Sequence, residues 1–419
     1  MKADWWQKFR AQRRVRFIWK MLLALIIISV LADLISNDRP IRCSYHGKVY
    51  YPLFQPGSMV EMKPQGGEPY LLKAAQAPWS TMDLSASLWP IVPYGTTARI
   101  NHRNISPFGE QRTRDGKILG PRFRHWLGTD QAGNDLLALM LRGGRISVGI
   151  GLLAMLLAGS IGFLIGSFAG YFGDDRLLLP RFMGWTLISA LLLGIWYGFV
   201  RRSVLFEDSE GLAWWGHFLG GMLWVAGVTA LILTFFFLIW RRGKQTKKAI
   251  KIDFVLSRVI EVLDSLPQLL LIITMGAILS RDIWTFVALV GLTGWSGVAR
   301  LVRGESLRLR NADYITAARI SGLPSHRILF RQVWPQVLPP LLVPLAFGIG
   351  SVIVAESALS FLNIIENSHS WGAMLSSSLQ NRDLWWLPVF PGLAIFFTVL
   401  AVNVLGESLR KAIAPAGTN

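Results

Sequence analysis

Apolar and polar positions fall in long blocks along this chain, not at the short periods of a soluble fold. A membrane-crossing helix needs roughly 20 mainly apolar residues, because backbone polar groups in hydrocarbon must find partners inside the segment. Eight stretches meet that demand, near residues 17–36, 146–171, 181–200, 213–240, 254–280, 283–300, 333–362 and 384–406. The pattern predicts an all-α polytopic membrane protein. Gly211 to Trp240 runs 30 residues without a formal charge. At a rise of ~1.5 Å per residue it overshoots a ~30 Å hydrocarbon core, so it is expected to tilt or to begin in the interface.

Composition agrees, with 52% hydrophobic and 16% charged residues in 419. The net charge of +18 raises nucleic acid as a partner, but Lys and Arg cluster beside apolar runs, as cytoplasmic flanks do. No nucleic-acid binding is therefore expected. The opening "MKADWWQKFRAQRRVRFIWK" carries seven Lys or Arg against one Asp and leads into "MLLALIIISVLADLIS" without a small-residue cleavage site. It reads as a retained signal anchor with its N-terminus inside. Alternation then places "RRGKQTKKAIK" (241–251), the segment 300–331 and the tail with Arg410 and Lys411 on the same side. Arg201 and Arg202 fall outside, offset by Glu207, Asp208 and Glu210. Cys43 is the only cysteine, which leaves no internal disulfide and no Cys-based metal site.

The largest outside segment, 37–145, is rich in Pro, Gly and aromatics, with strand-like "KVYYPLF" and turn-like "PQGGEP". It predicts a small extracytoplasmic module. Asn134 or Asp135 is placed to cap a short interfacial helix before the second span. Within that span Gly162, Gly166 and Gly170 repeat every four residues, baring one helix face to close approach by another helix.

The chain has no GxxxxGK[ST] loop, no GxSxG elbow and no histidine pair at metal-binding spacing. "GIGLLA" at Gly149 fits a loose dinucleotide pattern but lies inside a span without a preceding strand. No catalytic residue, cofactor or metal is expected. Intramembrane carboxylates are costly and so are functional candidates. Glu356 in "SVIVAESALSFLNI" is one, either lining a path or bonding across an interface, with a packed interhelical hydrogen bond as the plainer alternative. Glu261 and Asp264 are three apart on one helix surface before Pro267, a predicted kink, with Arg258 at hand for pairing.

The most articulated polar stretch is "DYITAARISGLPSHRILFRQVWPQVLPP". Asn311 or Asp313 offers an N-cap, Ala317 and Ala318 sit side by side in a short helix, and Gly322 is placed to end it. Pro324 and Ser325 start a second helix, with Ile328, Leu329 and Val333 on one face and Arg327 and Arg331 on another. Pro335 is expected to break or kink the chain before it enters the membrane. Two short helices at an angle would result.

The order Ala317, Ala318, Gly322, Pro335 resembles the EAA loop of importer-type ABC permeases, the segment that docks into a cleft on the ATPase subunit. Thr316 stands where that family usually has Glu, and Trp334 where it usually has Leu. "HWLGTDQAGNDLLALMLRGGRISVGIG", "AGYFGDD", "IDFVLSRVIEVLDSLPQLLL", "AESALSFL" and "SWGAMLSSS" look like the C-type permease of the dipeptide, oligopeptide and nickel importer family. The early "NDRPIRCSYHGKVYYPLF" resembles its microcin C and peptide importer subgroup.

The resemblance implies a type I ABC importer transmembrane fold of six family-type spans plus an inserted hairpin. The expected layout is a basic lead and first helix (1–36), extracytoplasmic segment (37–145), second span (146–175), inserted hairpin (176–251), permease core (252–413) with a coupling loop (300–335), and tail (414–419). An even number of inserted spans leaves that loop on the cytoplasmic side. Implied partners are a second related permease, two cytoplasmic ABC ATPase subunits, an extracytoplasmic substrate-binding protein and membrane lipid, in a bacterial inner membrane with both termini cytoplasmic. Asp313, Tyr314, Thr316, Ala317, Ala318, Gly322, Arg327, Arg331 and Pro335 would carry the coupling. Peptides or peptide-like solutes are the expected cargo. Nickel complexes or other small solutes, or a degenerate permease acting as sensor or assembly factor, stand as alternatives.

Overall fold

The computed structural model describes residues 4–62, 70–74, 76–77, 79, 82, 84–95, 103–109, 123–173, 178–180, 190, 193–194, 196–201, 212–240, 247–249, 252–278, 281–366, 369–379 and 383–413. Most of the inserted segment's first run, the "PQGGEP" turn and the tail lie outside them. The chain divides into two compact units. One comprises residues 1–151, 353–363 and 367–405; the other comprises 152–352, 364–366 and 406–419.

In the first unit, helix α1 (Asp4–Ala11) is followed, after extended backbone at Gln12, by α2 (Arg13–Val30) and the short α3 (Ala32–Ile35). Asp33 pairs with Arg142 at 3.1 Å and Arg145 at 2.9 Å. The expected extracytoplasmic module is a β-structure. Strands β1 (Arg42–Tyr45), β2 (Lys48–Tyr50) and, later in the chain, β5 (Ser85–Leu88) form an antiparallel sheet in the order β2-β1-β5, with Cys43 opposite Tyr50 and Arg42 opposite Leu88. A hairpin of β3 (Met59–Met62) and β4 (Tyr70–Lys73) completes it. Alternation sends Cys43 and Tyr45 inward to meet Val60, Ala74, Trp79 and Trp89. The Trp79 indole N–H donates to the Ala74 carbonyl at 2.8 Å.

Helix α4 (Leu136–Phe172) begins where Asp135 accepts the Ala138 amide at 2.8 Å, so the cap expected at Asn134 or Asp135 is Asp135. The short helix expected there is instead the first turns of α4. Its 37 residues are about 55 Å long. The other Asp135 oxygen meets the His125 Nδ1 at 2.8 Å, both residues buried, with the Tyr94 ring stacked on the imidazole.

The second unit holds the rest of α4 and the antiparallel pair β6 (Leu178–Pro180) and β7 (Lys247–Ala249), which brings together the two ends of the inserted segment. Between them, a π-helical turn at Trp196–Val200 packs on α5 (Leu212–Trp240). A Cβ on Gly198 would lie 2.6 Å from the Gly221 carbonyl, so that contact is backbone to backbone. The span expected at 254–280 is broken. It is two helices, α6 (Ile252–Ser265) and α7 (Gln268–Ile278), because Pro267 has no N–H to continue the ladder and the preceding residue is pushed out of helical geometry. Next come α8 (Ile283–Arg310), whose N-cap Asp282 accepts the Thr285 amide at 2.6 Å, α9 (Asp313–Ile320) and α10 (Ser325–Ile328). A π-helical turn (Leu329–Val333) leads into α11 (Trp334–Phe361). Helices α12 (Trp371–Ser378) and α13 (Trp386–Ile413) follow.

Four helical runs among the described residues are long and apolar enough to cross a membrane: Leu136–Phe172, Ile283–Arg310, Ser325–Phe361 and Trp386–Ile413. Four of the eight expected spans coincide with them. The chain is an all-α polytopic membrane protein in its spanning part.

Burial pushes the Cys43 thiol up to about 11, and its side chain is 0% exposed. At neutral pH no appreciable thiolate exists to react. A maleimide is expected to leave Cys43 unmodified in the folded chain and to label it stoichiometrically after denaturation, read by intact-mass spectrometry. Labelling of the folded chain would show that the β-module is not closed.

Candidate functional site

The elbow from 311 to 337 is built on a row of apolar side chains. Ile315, Ala318, Ile328, Leu329, Val333 and Val337 are buried and pack with Phe163 and Tyr171 of α4, Val298, Val302 and Leu309 of α8, and Leu341. Helix α9 starts from extended backbone at Ala312, with no side-chain cap. Neither Asn311 nor Asp313 caps it; Asp313 instead occupies the first turn, where its charge meets the positive end of the helix. The helix ends at Gly322 (φ +76°), where the Gly322 amide donates to the Arg319 carbonyl at 2.9 Å and the Leu323 amide to the Ala318 carbonyl at 3.2 Å. This paired closure needs a left-handed residue, which glycine supplies without steric cost.

The expected division of the second helix is present: Ile328, Leu329 and Val333 lie inside, Arg327 and Arg331 outside. Neither arginine forms an ion pair with the described residues. Of the two alanines, Ala318 is buried and Ala317 exposed, so the outer surface carries Ala317, Gly322 and Ile320, the last 83% exposed. Of the break or kink expected at Pro335, a break does not occur. A π-helical turn at Leu329–Val333 directly precedes it, and the helix runs on to Phe361. Widened turns of this kind absorb a lost i→i−4 hydrogen bond without ending the helix.

Trp334 donates its indole N–H to Ser167 at 3.1 Å and packs edge-on against Phe163 and Phe330. That binds the start of α11 to α4. The Thr316 hydroxyl reaches only its own helix, at 3.4 Å from the Ala312 carbonyl. Burial raises the Tyr314 hydroxyl above the usual tyrosine range, opposed by a hydrogen bond with Gln336.

Gly162, Gly166 and Gly170 all face α8. A Cβ at these positions would come within 2.8 Å of the Trp295 carbonyl oxygen, 2.5 Å of that of Ala299 and 2.5 Å of that of Arg303. Asp264 pairs with Arg300 and accepts the Ser296 hydroxyl at 2.9 Å. Glu261 points to solvent or lipid and pairs with Arg258 at 2.6 Å. Sequence reasoning missed Arg303, which grips both carboxylate oxygens of Asp253 at the start of α6. No local pattern marks that pair, since 50 residues separate its members.

Glu356 is fully enclosed, at 0% exposure. Ser360 donates to it at 2.8 Å and Ser357 at 3.4 Å, and the hydroxyls of Ser147 and Ser370 also bond it. Ser370 and Ser147 in turn accept the amides of Ala373 and Trp371. All these partners belong to this chain, so the carboxyl ties α4, α11 and the start of α12 together.

Residues 246–417 match the family described as binding-protein-dependent transport system inner membrane component. The chain is 27% identical over 416 residues to the inner membrane ABC transporter permease protein YejE of Escherichia coli strain K12, covering 98% of this chain and 96% of that one. It is 27% identical over 301 residues to the dipeptide transport system permease protein DppC of Bacillus subtilis strain 168, covering 71% and 70%. Its identity to the oligopeptide transport system permease protein OppC of Haemophilus influenzae is 25% over 294 residues, covering 70% of each.

Gly166→Ala is expected to destabilise the chain by about 1–3 kcal/mol, because the new methyl meets backbone, which cannot move aside. Gly149→Ala meets open space and should leave stability unchanged or slightly raised. Thermal retention of the monodisperse species in detergent compares the two. Equal behaviour would remove the seam's role.

Proposed function

We propose that this chain, whose residues 246–417 match the inner membrane components of binding-protein-dependent transport systems, forms half of a translocation path for peptides or peptide-like solutes. The cargo follows the relatives named for dipeptide and oligopeptide transport. The chain is a permease subunit; ATP hydrolysis is assigned to two separate cytoplasmic ATPase subunits. A second related permease and an extracytoplasmic binding protein complete the assembly. Both termini are placed inside, which puts the elbow on the cytoplasmic face.

The observation that carries the coupling role is the elbow itself: an apolar floor anchored on α4 and α8, with Ala317, Ile320, Gly322, Arg327 and Arg331 left facing out. A partner receives Ile320 and the small residues in a cleft, and the two guanidinium groups meet its carboxylates. Closure of the ATPases displaces the elbow. Because the helix from Ser325 to Phe361 is continuous, that displacement travels along it and shifts which side of the path is open. Asp313, Tyr314 and Thr316 sit on the adjoining helix and move with it.

Purification of the intact chain from its native membrane in mild detergent is expected to bring an ATP-hydrolysing subunit with it. Combined Arg327→Glu and Arg331→Glu should reduce peptide uptake and substrate-stimulated ATPase activity at least tenfold while the permease remains folded, by analogy with charge pairs that set protein association. Normal coupling in that variant, or absence of any ATPase from the purified assembly, would overturn the reading.

A further inference from the structure

The lead segment carries a feature that transport does not use. Helices α1 and α2 meet at Gln12, whose extended backbone ends one helix before the next begins. Around this bend Arg10, Arg13, Arg14 and Arg16 are exposed, and none of them meets a carboxylate among the described residues. Uncompensated like charge so closely spaced is unfavourable unless anions are supplied from outside the chain.

Aromatic groups are interleaved with the cations. Trp6 stacks on Phe9, and the Arg10 guanidinium lies over the Trp6 ring at 5.1 Å. One turn into α2, Phe17 is 70% exposed and Trp19 53% exposed. Val15, Leu22 and Ser29 of α2 are buried, seven apart on one face, with Leu25 and Ile26 packed beside them, so the opposite face of the helix meets its surroundings. Lys20 is the last exposed cation of α2, and from Met21 to Leu31 every exposed side chain is apolar. From Phe17 to Asp33, where Arg142 and Arg145 take up the acidic group, the chain climbs about 24 Å of a hydrocarbon core ~30 Å thick. Lys20 near its start has a stem long enough to return its charge to the headgroups. The arginine cluster therefore lies at headgroup depth, and the tryptophans lie where amphipathic rings collect.

We propose that Arg10, Arg13, Arg14 and Arg16, with Trp6 and Trp19, bind the phosphate headgroups of anionic phospholipids. Guanidinium groups suit this ligand because each offers several N–H donors to phosphate oxygens. The bend at Gln12 lays α1 across the headgroup layer while α2 enters the core. The proposal uses the membrane location of the chain alone. Its failure leaves the transport reading and the sidedness as they stand, and failure of those leaves this site intact.

The test uses the full chain with Ala11→Cys carrying an environment-sensitive fluorophore; Ala11 is exposed, and buried Cys43 stays unlabelled. The protein is held in neutral detergent and titrated with phosphatidylglycerol, phosphatidylcholine or inorganic phosphate. Phosphatidylglycerol is expected to shift the emission to the blue, saturably, and added salt to weaken the response. The combined variant Arg10→Gln, Arg13→Gln, Arg14→Gln should require roughly tenfold or more lipid for the same shift. Continued silence of Cys43 in that variant shows that the chain is folded, so a lost response reports the site. An equal response to phosphatidylcholine, an unchanged response in the variant, or a shift produced by inorganic phosphate alone would each overturn the lipid assignment.

Discussion

The α4, α8 and elbow core of the second unit depends on how closely two backbones can approach. At Gly162, Gly166 and Gly170 the α4 surface has no side chains, and the carbonyls of Trp295, Ala299 and Arg303 occupy the space where methyl groups would be. In an apolar medium there is little hydrophobic drive to press helices together, so van der Waals contact over a bare face is the main attraction available. This contact fixes α8 against α4. The elbow's apolar row then closes over Tyr171, Val302 and Leu309, which the seam has already brought side by side. Arg303 clamps Asp253 from the same stretch of α8, which holds the start of α6 to it as well.

The first unit is held by polar rather than steric means. Glu356 collects hydroxyl donors from three elements, and each of Ser147 and Ser370 passes on a backbone amide that would otherwise be unpaired near a helix start. Trp371 adds an indole bond to the Met140 carbonyl, and Gly372 lets α12 press within van der Waals contact of Ser357. Such a node is costly when incomplete and strong when every member has a partner. A carboxyl with no arginine or lysine paired to it among the described residues is therefore understandable here: its partners are four serine hydroxyls.

The spans that can be read from the sequence are those whose requirement is local. Length and apolarity mark α4, α8, α11 and α13, and the glycine repeat marks the seam, because period four reports one helix face. Gly322 was readable for the same reason, since a left-handed helix end has a residue preference of its own. What could not be read depends on distant partners. The interruption of 254–280 was marked by Pro267, but the pinning of the first of its two helices to α8 through Asp253 and Asp264 has no mark in either segment alone. Of the β-module only one strand-like stretch, at Lys48–Tyr50, and a composition shift were visible, because its strands are three or four residues long and its core draws on side chains from Cys43 to Trp89.

At Pro335 the surroundings decide which response a local rule produces. Proline removes one hydrogen bond and crowds the carbonyl four residues before it, so a break is the expected response where nothing else constrains the chain. Here both sides are constrained: Leu329, Val333 and Val337 are all fully buried in one cluster, and Trp334 is bonded to Ser167. A break would expose that row, whereas one widened turn relieves the crowding and keeps each side chain in place. The helix therefore stays continuous from Ser325 to Phe361. The same helix also takes Pro339, Pro340 and Pro344 without ending, so burial of one face in the cluster around Leu329, Val333 and Val337 holds it together against the lost hydrogen bonds.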